Sequence, residues 1–481
     1  MTARRHRYFG RREILVGVFV LAVLLRLIPL LARGGLGFWN GYDDGVYYAA
    51  ADALTFGHMP YRDYLLLHPP GIVVLLAPFA ALGRVTTDAT GMIVARCAFI
   101  AVGALNASLV AAIAYRWSRR TAVVAGVLFA CWYPAVVTEQ TPRLEPVGTT
   151  LLLVALLLLV RRTKLVRPRH ELLAGAALGL GAGVKIWGMA PWAALVLWEL
   201  IRQRWAAAGR VVAGGVAALA VLLLPFFIAA PSRMADMVIR DQFRRAVVRS
   251  GLTQRLSSIF GIDKGMATHH SEVAIVVAVI VLAAAVVAMR EGLAQPIVVV
   301  LVVSFVVLLA SPSYFRHYAE FVAAPAVLVI AIAAGRLTSM VTLHRRTAGV
   351  AIGVVTALVI GGAAASFAIP EKVQRIAPAV TAAAPAGCLK SDDPGVLIQM
   401  NRLSQGFRDN CHLGVDVWGK QQDALSHMAW QQYLVDYLRS GDAFVLARPN
   451  LDNLTPQTIV LLNSYPPLAE GGGLVLRRGS R

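Results

Sequence analysis

The residue types best suited to chemistry gather at four places along the chain. Asp43 and Asp44 stand side by side in GYDDGVYYAAADALTFGHMPYRDYLLLHPPG, residues 41–71. A carboxylate within hydrogen-bond reach can take the proton of an attacking hydroxyl. Such acids also cap helices and bind Mg2+ or Mn2+, so the pair alone leaves several roles open and no cofactor is firmly implied. Its company is aromatic and polar: Tyr42, Tyr47, Tyr48, Tyr61 and Tyr64, with Arg62 and His68 between and after them. Aromatic rings stack on sugars and anchor at membrane interfaces. The second place is TEQTPRLEPVGTT, residues 138–150, with Glu139, Arg143 and Glu145. Acids near a bilayer are costly and mark function; the alternative is a surface pair of Arg143 with either glutamate, which is worth little. The third is Lys185 in the Gly-rich GLGLGAGVKIWGMAPW, a lysine that snorkels to the surface or meets a phosphate or an acid. The fourth is SYFRHYAEF, where Arg316 and His317 suit contact with a phosphate.

These groups must be held by a membrane architecture. Of the 481 residues 58% are hydrophobic and 15% charged. A soluble domain carries roughly 25% charge, and disorder is excluded by the same balance. The net charge of +20 needs no nucleic acid, because Lys and Arg mark cytoplasmic loops. Apolar runs predict about eleven transmembrane helices, given the ~20 residues a span needs. They fall at 14–32, 91–115, 121–138, 147–160, 172–189, 190–201, 211–230, 273–289, 294–311, 317–335 and 347–368. The fifth and sixth read as a broken hairpin hinged near Pro191. Ile14 opens an uncleaved first span with its N-terminus inside, after Arg4, Arg5, Arg7, Arg11 and Arg12. An odd number of spans then places three regions outside: 33–90, 231–272 and 370–481. Residues 72–82 form an apolar helix too short to span, suited to the membrane surface.

The expected organisation is a transmembrane domain over 1–369, with outer loops 33–90 and 231–272, and a small extracytoplasmic α/β domain over 370–481. In the latter, 396–400, 443–447 and 473–478 read as strands, and 423–440 and 455–464 as helices. Cys388 and Cys411 would then lie in an oxidising compartment and form a disulfide. Cys97 and Cys131, inside apolar spans, read as buried packing residues. Loop 231–272 departs from the positive-inside rule: Arg240 and Arg244, and Arg245 and Arg249, are spaced to share a helix face. Anionic headgroups or a lipid phosphate would suit that face.

Taken together, these residues resemble the GT-C superfamily of membrane glycosyltransferases, of the actinobacterial type. DDGVYYAAADALTFGHMPYRDYLLLHPPG is similar to the D-[DE]-x-x-Y…G…P-Y…P-P-G pattern of family 39-like members, and Glu145, Lys185 and His317-Tyr318 also fit. The resemblance covers about residues 1–335. It implies a sugar, mannose or arabinofuranose, moved from a polyprenyl-phosphate carrier to a glycan, glycolipid or protein acceptor on the outer face of the plasma membrane. Asp43 would be the general base, with Asp44 and Glu145 completing the acidic site. Arg316, His317, Lys185 and Arg143 would meet the donor phosphate, and Tyr47, Tyr61, Arg62 and His68 the acceptor or sugar. The rival class is a multi-span transporter or lipid flippase. No internal repeat is visible, which counts against that class.

Overall fold

The computed structural model describes residues 10–39, 41–161, 167–244, 251–263, 269–339, 345–368, 374–423, 426–448 and 454–480. The first half runs α1 (Arg11–Ala32), α2 (Asp43–Thr55), α3 (Gly71–Val85), α4 (Asp88–Ala114), α5 (Arg119–Ala130), α6 (Tyr133–Thr138), α7 (Leu144–Leu159), α8 (Pro168–Val184), α9 (Met189–Ile201) and α10 (Trp205–Ala229). Then come α11 (Pro231–Ala235), α12 (Asp241–Arg244), α13 (Leu252–Ile259), α14 (His270–Met289), α15 (Gln295–Ala310), α16 (Glu320–Ser339) and α17 (Arg345–Ala368). A π-helical turn, Asp236–Arg240, joins α11 to α12, and a 3-10 turn, Arg316–Ala319, precedes α16.

Among the described residues six helices are long and apolar enough to cross a bilayer: α1, α4, α10, α14, α16 with its preceding turn, and the 349–368 stretch of α17. Shorter apolar helices, including α7 and α15, pack among them. Each expected span coincides with helix, but two details differ. The 121–138 span is interrupted at Cys131–Trp132, dividing α5 from α6. The break in the Gly-rich hairpin falls at Lys185 rather than near Pro191. Lys185 itself is extended (φ −142°, ψ 127°), and a 3-10 turn, Ile186–Gly188, leads into α9.

Small residues explain why α8 is buried. A Cβ on Gly179 would stand 2.1 Å from the Gly215 carbonyl oxygen of α10. Side chains there would force the helices apart, so glycines set the close approach. Cys97 departs from expectation: it is exposed on α4, whereas Cys131 is buried.

The C-terminal residues form α18 (Pro378–Ala382), β1 (Leu389–Ser391), α19 (Pro394–Gln399), α20 (Leu403–Arg408), α21 (Lys420–Asp423), α22 (His427–Arg439), β2 (Ala443–Val445), α23 (Pro456–Asn463), β3 (Pro467–Gly471) and β4 (Leu474–Arg478). The sheet order is β1-β2-β4-β3, with β1 parallel to β2 and the other pairs antiparallel. Residues 396–400 are not a strand. Pro394 at the first helical turn and the Asp393 carboxylate, which accepts from the Gly395 amide at 2.8 Å, start a helix instead. Cys388 and Cys411 are disulfide-bonded.

This C-terminal segment does not stand apart from the loop at 33–90. Tyr48, Leu65, Leu66 and Ile72 share one apolar cluster with Val396, Leu397, Leu403 and Leu476. Buried polar contacts reinforce it. Asp88 accepts from the Leu403 and Ser404 amides at 2.9 and 3.1 Å, and the Ser404 hydroxyl reaches both Asp88 and Asp52.

Candidate functional site

α2 begins at Asp43, so the acid pair occupies a helix N-terminus, where carboxylates are favoured. The two acids separate in role. Asp44 is buried and takes an ion pair from Arg96 of α4 at 3.1 Å. Arg96 also donates to the carbonyls of Leu36 and Phe38, which ties the approach to α2 onto the bundle. Asp43 is turned the other way, 40% exposed, with Oδ2 at 3.6 Å from His317 Nε2. Burial raises the Asp43 carboxyl above its ordinary value. Arg143 and Lys185 oppose that shift, and Glu145 and Asp44 add to it. The result is a stronger base than a solvated aspartate.

Glu145, in the first turn of α7, faces the same place. Its Oε1 lies 2.5 Å from Lys185 Nζ and 3.8 Å from His317 Nε2. Among the described residues its Oε2 has no hydrogen-bond partner although it is buried. Lys185 sits over the rings of Tyr318 at 3.7 Å and Trp187 at 4.3 Å. The break between α8 and α9 makes this possible, because an extended residue carries its side chain off the helix axis. His317 and Tyr318 are supplied by the 3-10 turn before α16. Four separate elements therefore bring Asp43, Glu145, Lys185 and His317 together, with the half-buried Arg143 at the N-cap of α7 beside them. A cavity of about 30 Å³, lined by Glu145, Thr149, Gly181 and Lys185, opens alongside.

The other sequence-selected residues distribute differently. Arg316 points away from the acids: it is 55% exposed and paired with Asp263 at 3.0 Å. Tyr47 is buried with its ring edge-on to His68 at 5.8 Å. Gly71, just after His68, packs so closely that a Cβ there would meet the Gly183 carbonyl oxygen at 2.6 Å, which places this turn beside the end of α8. Tyr61 is buried and donates to the His68 carbonyl at 2.8 Å, a packing role. Arg62 is exposed and paired with Asp63. Glu139 belongs to another network, bonded by Arg26 and Asn106. The pairings Arg143–Glu139 and Arg143–Glu145 do not form, and Arg143 donates to Thr141 at 3.0 Å. Arg240 is paired with Asp236, whereas Arg245 and Arg249 lie outside the described residues. Among the described residues no group of three or more His, Cys, Asp or Glu is arranged to hold a metal.

Sequence reasoning missed Arg96 and the contribution of the C-terminal segment. The Tyr42 hydroxyl donates to Asp416 Oδ1 and accepts from the Trp418 amide, each at 2.8 Å. Arg448 lies 5.0 Å from the Tyr42 ring centroid and is ion-paired to Asp393. Gly45 abuts the Gly395 backbone, where a Cβ would come within 2.7 Å. The residues on both sides of Asp43 are thus gripped, one by the bundle and one by residues nearly four hundred positions away. No local pattern announces such partners.

This fold is shared with known membrane transferases. ArnT from Cupriavidus metallidurans bound to undecaprenyl phosphate aligns at 14% identity with a TM-score of 0.64, over 96% of this chain and 97% of that one. The oligosaccharyltransferase AglB of Archaeoglobus fulgidus, in complex with an inhibitory peptide and a dolichol-phosphate, aligns at 14% identity and a TM-score of 0.52, over 78% and 57%. A search of curated proteins finds no match. The sequence profile of glycosyltransferase family 87 matches residues 66–312, just over half of the chain and a stretch that contains Glu145 and Lys185 but neither Asp43 nor His317. With a GT-C fold over nearly its whole length and that profile across its centre, this multi-span membrane protein belongs to glycosyltransferase family 87.

Proposed function

We propose that the chain transfers a sugar from a polyprenyl-phosphate carrier to an acceptor hydroxyl on the outer face of the membrane, with Asp43 as general base. The observation that carries this reading is the meeting of a basic, half-exposed Asp43 carboxylate with His317, Glu145 and Lys185 at the end of the bundle. The acceptor hydroxyl gives its proton to Asp43 as its oxygen attacks the anomeric carbon, and the carbon–oxygen bond to the phosphate breaks. The phosphate leaves as an anion, so no general acid is required. Lys185, His317 and Arg143 face that developing charge, and a fixed cation is worth more there than in water. Asp44, locked by Arg96, orients its neighbour, while Arg316 stands at the rim.

The carrier's tail needs an apolar berth. A groove of about 580 Å³ between α6, α14 and α17, lined by Trp132, Tyr133, Phe260, Val277 and Leu358, supports this reading. Its α6 wall packs on the turn that carries His317. The ligands named in the two related structures, undecaprenyl phosphate and a dolichol-phosphate, are of the same chemical class. Mannose and arabinofuranose are the donor sugars to try first, with a glycan, glycolipid or protein as acceptor. This reading has the N-terminus on the cytoplasmic side and residues 370–481 outside, in keeping with the basic residues before the first span.

The test is incubation of the purified protein with labelled polyprenyl-phosphate mannose or arabinofuranose and a mixed envelope acceptor fraction. Transfer should occur, and Asp43→Asn should lower it by about 10²-fold or more. Full turnover in Asp43→Asn would remove the base from the proposal.

A further inference from the structure

The PYRDY motif at 60–64 takes no part in the site around Asp43, yet it borders a cavity of its own. This cavity, about 190 Å³, lies between the loop after α2 and the residues following α20, and His58, Asp63, Phe407, Asn410 and His412 line it. It has room for a sugar ring rather than a single water. We propose that it binds a saccharide unit of the acceptor, a neutral polyol, at a distance from the transfer centre.

Three observations converge. The first is backbone strain. Tyr61 (φ 68°), Asn410 (φ 52°) and His412 (φ 36°) are non-glycine residues in the left-handed region, and all lie in the segments that enclose the cavity. Strain of this kind collects at ligand-binding sites and persists only where the surroundings enforce it. Here they do: Cys411, between the two strained residues, is disulfide-bonded to Cys388, and the buried Lys390 ammonium donates to the carbonyls of Cys411 and His412. With the carbonyls of Cys411 and His412 held from behind, the side chains of Asn410 and His412 line the cavity wall.

The second observation is the chemistry of the lining. Phe407 forms a shelf with Phe56 and His58, at ring separations of 5.6 and 5.7 Å, suited to the C–H face of a sugar ring. Around the shelf stand a carboxylate, an amide and two imidazoles, a mixture that offers acceptors and donors to hydroxyl groups. Asp63 is held ionised, its pKa lowered first by the hydrogen bond from Arg62. That carboxylate repels an anion, and Arg62 is already committed to it. Phosphates and nucleotides are therefore poor occupants.

The third is position. Asp43 opens α2 and the cavity lies beyond its other end. Thirteen residues of helix span about 20 Å, too far for the donor sugar, which stays bonded to its phosphate, and suited to the remote end of a short oligosaccharide. The proposal rests on the transfer reading for its purpose, not for its binding chemistry.

The experiment measures saccharide binding to the purified full-length protein in nanodiscs, with neutral tetrasaccharides of mannose and of arabinofuranose as probes. At least one should bind, and should bind Asp43→Asn comparably. His58→Ala, at an exposed position, and Asn410→Gly, which keeps the left-handed backbone accessible, should each weaken the dissociation constant by about 2- to 12-fold. Phe407→Ala should remove the shelf and weaken it further. Mass mapping of the Cys388–Cys411 link confirms that the wall is intact in each variant. No binding of either probe, or wild-type affinity in His58→Ala, Asn410→Gly and Phe407→Ala together, overturns the proposal. Binding that is lost in these variants while Asp43→Asn retains full turnover would leave this site standing and sink the transfer mechanism instead.

Discussion

Glu139 and Glu145 lie six positions apart, and both are buried beside a cation, yet their surroundings are opposite in kind. Glu139 is fully engaged. Arg26 donates to one oxygen with two of its nitrogens, Asn106 donates to the other at 2.8 Å, and both members of the ion pair are sealed from solvent. Arg26 also donates to the Ala22 carbonyl, and Gln140 donates to that of Arg26. Around Glu145 the accounting is incomplete, with one oxygen shared by Lys185 and His317 and the other orphaned. A closed network fixes the packing of α1 against α6. An open one stores binding capacity, because a buried oxygen without a partner costs free energy until something meets it.

The sharpest way to break the comparison is to remove a cation from the closed side. Arg26→Ala leaves Glu139 charged and buried, a loss of about 3–5 kcal/mol, and thermal unfolding of the purified protein should register it as a large fall in melting temperature. On the open side, Glu145→Gln keeps its shape and an acceptor for Lys185, which also retains its two aromatic faces, so it should melt above Arg26→Ala. Its transfer rate should nevertheless drop by about 10- to 150-fold, the worth of a charged hydrogen bond. If Glu145→Gln unfolds like Arg26→Ala while its folded fraction transfers normally, the distinction between the two glutamates is lost.

A smaller effect is expected from the far end of the chain. Tyr42→Phe deletes the hydroxyl that Asp416 and the Trp418 amide hold, and with it one fixing point beside Asp43. A fall in kcat of about 2- to 12-fold with KM retained is the expected result. A change in KM alone would assign Tyr42 to substrate contact. The smallest effect is a pH dependence. Burial raises Asp52 to about 7, with Asp88 adding to the shift and Ser404, Thr55 and Arg84 opposing it. Burial likewise raises Asp392 to about 6 and Asp393 to about 7 against the pull of Arg448. Each binds its proton more tightly folded than unfolded. Their stabilisation is therefore complete below the ordinary carboxylate range near 4 and is lost as pH rises through 6 to 7. Limited proteolysis of residues 374–480 should be slower at pH 5 than at pH 8, and the reverse order would contradict the assignment.

Much of the architecture was legible because lipid imposes a simple rule: about 20 apolar residues per span. The acidic pair could be picked out by its aromatic neighbours, and Lys185 by its cost in an apolar run. What was illegible involved partners that hydropathy does not encode. Arg96 reads as one more charge at a span, and nothing nearby points to Asp44. Tyr42 reads as one tyrosine among five until Asp416 and Trp418 arrive from the other end of the chain. Residues 396–400 have strand-like composition, and the helix there is decided by two residues, Asp393 and Pro394, just upstream. Arg316 and His317 look equivalent in sequence, but a 3-10 turn directs one to Asp263 and the other to the acids.

The apolar cluster shared by the α2–α3 loop and the C-terminal sheet imposes an order on biogenesis. Asp88 and its partner Leu403 are separated by 315 positions. At ribosomal speeds of about 5–20 residues per second, roughly 15 to 60 seconds pass between the emergence of the two. For that interval the cluster of Leu65, Leu66 and Ile72 lacks Val396, Leu397, Leu403 and Leu476, and α2 lacks the residues that grip Tyr42. The stretch that carries the acid pair is therefore translated well ahead of the scaffold that holds it.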